Sequence, residues 1–372
     1  MKAYKSTKKI FLGLSGGVDS AVTLALLAKK HGAENIQAIF MRNWSKDLPG
    51  FQCPWQEDWH DAQSVALTLG VKVELWDFEN DYKDKVVDYL ISEYKAGRTP
   101  NPDIICNQEV KFKVFLEQAI QEGAAKIATG HYARITDDPI SPHIKWLKIA
   151  KDKTKDQSYF LARISQKALQ KTIFPLGELQ KKEVRELATK FNLPVATKKD
   201  SVGICFVGEV GIVDFLKNFI GVRPGAIIDI KTNQRIGTHQ GSELYTIGQR
   251  HGLNLSSSQD LPYYVTSKNI TKNTIYVTSD ISATEVWIDQ VKLTDCHFIS
   301  IHPDDISDYS SLSLRTRHLG KLEAIQKIDL GSNNSEITIN LRLKSKIKTP
   351  APGQSGVVYT EDGRVLFSGF IS

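Results

Sequence analysis

The stretch Ile10-Phe11-Leu12-Gly13-Leu14-Ser15-Gly16-Gly17-Val18-Asp19-Ser20 decides how this chain must fold. Ile10–Leu14 has the bulk of a short buried strand, two adjacent glycines interrupt it, and Ala21–Lys30 then carries helical spacing. In that order the N–H groups of the turn converge on one point, and the helix N-terminus adds favourable potential for an anion. Ser15 and Ser20 contribute hydroxyl donors. The stretch reads as a phosphate cradle. It is not a Walker loop, because no lysine follows the glycines to bridge terminal phosphates. The bland alternative, a tight turn capped by Asp19 or Ser20, fits a lone Gly-Gly better than it fits the whole of Ser15–Ser20.

Outward from this stretch, short apolar runs alternate with amphipathic ones. Ile36–Met41, Val71–Phe78 and Lys126–Thr129 read as further strands, and Glu57–Leu69 and Lys83–Tyr94 as helices between them. Such alternation predicts a doubly wound parallel sheet with helices on both faces, with ligands bound beyond the carboxyl ends of the strands. A helix carrying Leu179, Val184, Leu187, Ala188 and Phe191 ends before Pro194. From about Phe206 the texture changes to short β-branched runs at Ala226–Ile230, Asn273–Thr278, Val286–Leu293, Leu312–Arg317, Glu336–Leu343 and Gly356–Tyr359. Glu361–Arg364 then turns the chain into Val365–Ile371. The expected fold is α/β: a Rossmann-like catalytic domain over 1–205, a small mostly-β domain over 206–272, and a β-barrel over 273–372.

Composition sets the outer limits. At about 100–200 residues per domain, 372 residues accommodate two or three domains, and 41% hydrophobic with 24% charged residues is ordinary for a globular enzyme. No apolar run approaches the ~18 residues of a membrane span. The early lysines Lys2, Lys5, Lys8 and Lys9 resemble the start of a secretion signal, but the apolar part stops at Ser15, so a cytoplasmic protein with no membrane partner is expected. Lys plus Arg exceed Asp plus Glu by 48 to 42, a net charge of +6, which by itself only mildly favours a polyanionic partner.

The four cysteines, Cys53, Cys106, Cys205 and Cys296, form no close pair and predict neither a zinc ribbon nor a disulfide framework. Cys106 ends the unusual run Thr99-Pro100-Asn101-Pro102-Asp103-Ile104-Ile105-Cys106. Its two prolines predict an extended path, leaving Cys106 near the start of a helix over Gln108–Gln118, where a thiol becomes a better nucleophile. Cys205 sits in Asp200-Ser201-Val202-Gly203-Ile204-Cys205-Phe206-Val207-Gly208-Glu209. Each window alone also fits a packing cysteine. If the two meet, one can carry sulfur as a persulfide and the other resolve it. Cys53 with His60 and Asp61 lacks metal-ligand spacing, and no protein-built metal site is expected.

Ser15–Ser20 resembles the phosphate loop of the PP-loop ATP pyrophosphatases. With Phe40–Trp44, Thr99–Asn107, Gly130–Arg134, Lys155–Leu161, Asp200–Glu209 and Tyr245–Arg250 in one order, the chain resembles the tRNA 2-thiouridylase family over essentially its whole length. That resemblance implies an enzyme that adenylates the C2 oxygen of the wobble uridine, releases pyrophosphate, and replaces the oxygen by sulfur with release of AMP. It implies ATP held by Gly13, Leu14, Ser15, Gly16, Gly17, Val18, Asp19 and Ser20, with Met41 and Gly130 against the nucleotide and Mg2+ bridging the phosphates near Asp19. Asn101, Pro102 and Asp103 would contact the flipped base, with Asp103 a candidate for proton transfer. Lys155, Asp156, Gln157, Arg315 and Thr316 would touch tRNA; Thr316 stands where the family usually has tyrosine, and threonine has no ring to stack. Cys205 would carry the persulfide and Cys106 act as nucleophile, passing through a transient Cys106–Cys205 disulfide. The implied partners are the tRNAs of Lys, Glu and Gln and a persulfide donor protein, acting on a monomer.

Two other functions share parts of this pattern. Another adenylating PP-loop enzyme, such as a lysidine synthetase or an amidotransferase-type synthetase, shares the cradle but has no need of two cysteines. An ATP-sensing binding protein would not turn ATP over.

Overall fold

A computed structural model describes residues 9–47, 53–200, 212–253, 255, 262–333 and 336–372. The first domain is built on β1 (Lys9–Gly13), α1 (Val18–His31), β2 (Ile36–Arg42), α2 (Trp55–Thr68), β3 (Lys72–Asp77) and β4 (Ala124–Ala128). A hairpin of β5 (Arg134–Asp137) and β6 (Lys145–Lys148) and the short β7 (Thr172–Ile173) follow. The sheet runs β3-β2-β1-β4-β7 with every pairing parallel. The chain therefore winds one way from β1 through β3 and the other way from β4. This leaves a crevice between the carboxyl ends of β1 and β4, where ligands of such sheets bind.

Alternation along β1 divides the core. Ile10 and Leu12 pack with α1 and α2, whereas Phe11 points to the other face and joins Trp76, Phe115 and the helical segments 79–95 and 102–121. Among the described residues, no helix is long and apolar enough to cross a membrane.

The middle unit is a four-stranded sheet ordered β10-β11-β8-β9, made of β8 (Gly225–Asp229), β9 (Arg235–His239), β10 (Tyr264–Asn269) and β11 (Thr274–Thr278). β11 pairs with β8 on one side and β10 on the other. A boundary at 272/273 runs between β10 and β11 of this sheet, whose last strand in the chain ends at Thr278. The last unit is the expected barrel, closed in the order β12-β15-β14-β13-β16-β17. Its strands are β12 (Trp287–Phe298), β13 (Ser313–Arg315), β14 (Glu323–Asn333), β15 (Glu336–Lys348), β16 (Ser355–Tyr359) and β17 (Val365–Ile371).

A buried ion pair fastens the barrel to the first domain. The Asp156 carboxylate has no solvent exposure, and Arg315 of β13 donates to it at 2.7 Å. Asp156 also accepts from the backbone N–H of Ala150 and Ser158 and from the Ser158 hydroxyl, so its lone pairs are filled. Tyr359 lies beneath the guanidinium, 5.0 Å from its ring centroid. Removing one partner strands the other charge in the interior, so Arg315→Met should lower the unfolding free energy by about 3–5 kcal/mol. Combining it with Asp156→Leu should recover most of that loss in urea denaturation; a loss under ~1 kcal/mol for the single variant would contradict the assignment.

Candidate active site

The cradle lies at the crevice between β1 and β4. Gly17 precedes α1 and no side chain caps the helix, so the first-turn N–H groups face outward without an intrahelical partner. Neither Asp19 nor Ser20 is the cap. The Ser20 hydroxyl is turned inward, donating to the Gly17 carbonyl at 3.0 Å and accepting from the Ser15 N–H at 3.2 Å. It braces the loop instead of offering a donor to a ligand, while Ser15 is exposed.

Three close approaches keep the loop in this shape. Gly16 has φ +75°, and a Cβ there would sit 2.3 Å from the Asp58 carbonyl oxygen of α2. A Cβ on Gly130 would come within 2.9 Å of the Ser20 nitrogen, and one on Gly13 within 2.8 Å of the Met41 methyl. Met41 and Gly130, the residues expected against the nucleotide, thus touch the cradle itself.

The cation missing from the loop arrives from 162 residues away. Lys181, first residue of the helix Lys181–Lys190, donates to Asp19 Oδ1 at 2.7 Å and lies 2.8 Å from Asp200. Tyr132 donates its hydroxyl to the same Asp19 oxygen at 2.9 Å. Lys155 meets Asp200 at 2.8 Å and Arg185 pairs with it as well. Burial would raise the Asp200 pKa, but Lys155 and Lys181 outweigh it and hold the carboxyl well below the usual range. Tyr132 and Asp200 lie in strings that carry the resemblance but were given no role by them, and Lys181 carries no sequence signal at all; only the fold brings the three to Asp19.

The Thr99–Cys106 run differs from the extended path its prolines predict. A helix begins at Pro102, because proline at the first position sacrifices no hydrogen bond. Asn101 caps it, its side-chain oxygen accepting from the N–H of Asp103 and Ile104 at 3.1 and 3.3 Å. Cys106 therefore lies one turn inside the helix, 2% exposed, on the same face as Asp103. Asp103 is half-buried, and desolvation raises its pKa against the pull of Lys111. All three units hold this run: Thr99 donates its N–H to Pro352 O at 2.7 Å, accepts from Gln354 at 2.8 Å, and meets the Thr246 hydroxyl at 3.2 Å. In the Tyr245–Arg250 segment Tyr245 is buried, Gly248 has φ +84° and Arg250 is exposed.

The residues assigned to tRNA divide into two groups. Asp156 and Arg315 are spent on each other, and burial removes their charged groups from any RNA. Lys155, Gln157 and Thr316 keep partial exposure. Cys205 lies outside the described residues. The Cys53 thiol sits 3.4 Å from the Trp44 carbonyl, and burial raises its pKa; burial likewise pushes Cys296 up to about 12.

The left-handed backbone and the Asp58 contact make Gly16 replaceable only at a cost, whereas the nearest atom to a Cβ on Gly17 is Ser15 Oγ at an ordinary 3.5 Å. Gly16→Ala should lose about 2 kcal/mol or more of stability, the left-handed penalty alone being 1–2, and Gly17→Ala under about 1. Equal losses in urea denaturation would overturn this reading of the cradle.

Comparison with known proteins agrees with the geometry. The model described as tRNA methyl transferase HUP domain matches residues 8–209, and that described as tRNA methyl transferase PRC-barrel domain matches 213–279, ending one residue after β11. A Mycoplasma mycoides protein described as tRNA-specific 2-thiouridylase MnmA is 41% identical over 370 residues, covering 95% of this chain and 96% of the relative. Proteins of the same description from Bacillus mycoides (40% over 354 residues, 95% and 92%) and Paraburkholderia phytofirmans (40% over 369 residues, 98% and 94%) are similar throughout. With likeness on this scale spanning cradle, middle sheet and barrel, the chain belongs to the family of tRNA-specific 2-thiouridylases.

Proposed function

We propose that the chain catalyses ATP-dependent 2-thiolation of the wobble uridine of tRNA. The observation that carries this reading is a lysine-free phosphate cradle, completed by Lys181, in the same domain as a buried cysteine one helical turn from a carboxylate. A methyl transferase, the activity named in the family-model description, would have no use for such a cradle.

The uracil C2 oxygen is a poor leaving group, so it must first be activated. In the proposed reaction it attacks the α-phosphorus of ATP, the Pα–O bond to the β-phosphate breaks, and pyrophosphate leaves. The outward N–H groups of the Ser15–Ser20 loop and the Lys181 ammonium receive the negative charge that accumulates on the leaving phosphates. Lys181 is half-freed for this role, because its present partners Asp19 and Asp200 are themselves served by Tyr132, Lys155 and Arg185.

Mg2+ fits here as a shared ion. Asp19 has one carboxylate oxygen, Oδ1, anchored on Tyr132 and Lys181, and its carboxylate would be the group of this chain that holds the ion. Among the described residues no group of three carboxylate, imidazole or thiol ligands forms a cage. When bound, the ion would neutralise phosphate charge.

Sulfur transfer then falls to the cysteines. The terminal sulfur of a Cys205 persulfide attacks C2, the C2–O bond breaks and AMP departs. The Cys106 thiolate attacks the inner Cys205 sulfur, freeing 2-thiouridine and leaving a Cys106–Cys205 disulfide that a cellular dithiol reduces. Asp103, on the Cys106 face, accepts a proton in this scheme. Its raised pKa puts that service at the acid side, so the rate falls as pH drops through it. The substrates are the tRNAs of Lys, Glu and Gln, the sulfur donor is a persulfide protein, and the enzyme acts as a monomer with domains divided near 205 and after 278.

Mass spectrometry of the wobble nucleoside, after incubation of an unmodified glutamate tRNA with Mg-ATP and a persulfide donor, tests the proposal. Wild type should give 2-thiouridine, Cys106→Ser and Cys205→Ser none, and Lys181→Ala about 100-fold less kcat/KM for ATP, consistent with a lost charge-assisted contact. AMP and pyrophosphate without thiolated base would refute the sulfur chemistry; no ATP turnover with any tRNA would return the chain to the ATP-sensing class.

A further inference from the structure

Two rings from different domains meet where the barrel joins the first domain. The His318 imidazole, in the turn after β13, stacks on Phe160 with centroids 4.2 Å apart and planes 30° from parallel. Tyr159 flanks them, 6.5 Å from His318. Both stacked residues are half-buried, so each leaves part of its surface to solvent.

Three observations set this pair apart from ordinary packing. The Nδ1 atom of His318 is buried without a hydrogen-bond partner, a cost that burial of a ring in a dry core does not require. The turn is strained: Leu319 adopts φ +53°, unfavourable for a bulky L-residue, while remaining 45% exposed. Strain of this kind persists where the surroundings over-determine it, and functional sites are where it gathers. Arg317, the residue before His318, is exposed.

The pair is also tied to the reactive helix. The Phe160 carbonyl accepts from the side-chain amide of Asn107, the residue after Cys106, at 3.3 Å. Tyr159 donates its hydroxyl to the Ser355 carbonyl at 2.8 Å, and Gln354, one residue earlier, donates to Thr99 at 2.8 Å. The ring pair and the Thr99–Asp103 run therefore hang from one turn of the barrel.

We propose that Phe160 and His318 form a stacking platform for the unpaired base next to the target uridine, with Arg317 meeting its phosphate. The proposal rests on the tRNA reading above. A uridine taken out of its stack leaves its neighbour without a partner. A ring with an adjacent cation is how proteins hold single-stranded nucleotides. His318 is here a substrate-contacting residue; Asp156 and Arg315 are positioning residues that hold β13, and with it the turn, against the first domain.

The test uses anticodon stem–loop RNAs, intact or abasic on one side or the other of the target uridine, with wild-type protein and the variants His318→Ala and His318→Phe. One of the two abasic RNAs should bind wild type about 5- to 150-fold more weakly than the intact RNA, the range measured for lost base–aromatic stacks. His318→Ala should lose a similar factor on intact RNA and nothing further on that abasic RNA, His318→Phe should retain binding, and the KM for ATP should not move in either variant. Wild type binding all three RNAs equally overturns the platform without recourse to a variant. Additive losses from His318→Ala and the abasic site overturn it too. Failure of the thiolation reading is distinguishable, since wild type would then leave the intact RNA unthiolated.

Discussion

Everything in this molecule depends on keeping a short stretch of backbone open. The N–H groups that follow Gly16 can meet an anion only while the loop neither collapses onto α1 nor acquires a side-chain cap. Gly16 achieves the first by turning left-handed against the Asp58 carbonyl, and Gly17 the second by having nothing to cap with. The rest of the crevice is fitted around that opening. Met41 and Gly130 touch it from β2 and from the end of β4, and Lys181 brings the positive charge that the loop itself lacks.

A cradle alone describes many adenylating enzymes, so specificity has to come from what is assembled beside it. Here the assembly rests on contacts between the units. The Asp156–Arg315 pair is too deeply buried to break cheaply, and Gln354 and Thr246 grip the run that leads into the Cys106 helix from two sides. The barrel thus does more than pack beside the first domain. It completes the wall of the site, and the His318–Phe160 stack forms across the same seam.

The fold was largely legible because its signals are local. An apolar run followed by Gly16-Gly17 and a helical period can hardly be anything but a strand entering a cradle, and the β-branched runs after Phe206 announce sheets. The start of the 102–121 helical segment was not legible, since Pro100 and Pro102 look alike in sequence; only Asn101 turning back to cap the chain makes the second a helix opener. β14 (Glu323–Asn333) was missed because a register shift between Ile325 and Lys327 puts two polar residues in a row and breaks its apolar alternation, yet its partners β13 and β15 define it. Lys181 and the Asp156–Arg315 pair are tertiary facts, joining residues more than 150 positions apart. The same distance explains why resemblance placed Asp156 and Arg315 on RNA while the fold places them on each other.

In the proposed reaction the C2 oxygen of uracil is activated by bonding to the α-phosphate of ATP. A tRNA carrying oxygen-18 at that single position tests it directly, with the label followed by mass spectrometry of the nucleotide product. AMP bearing one oxygen-18 should form for every 2-thiouridine. Unlabelled AMP, or ADP in its place, alongside thiolated base would contradict it.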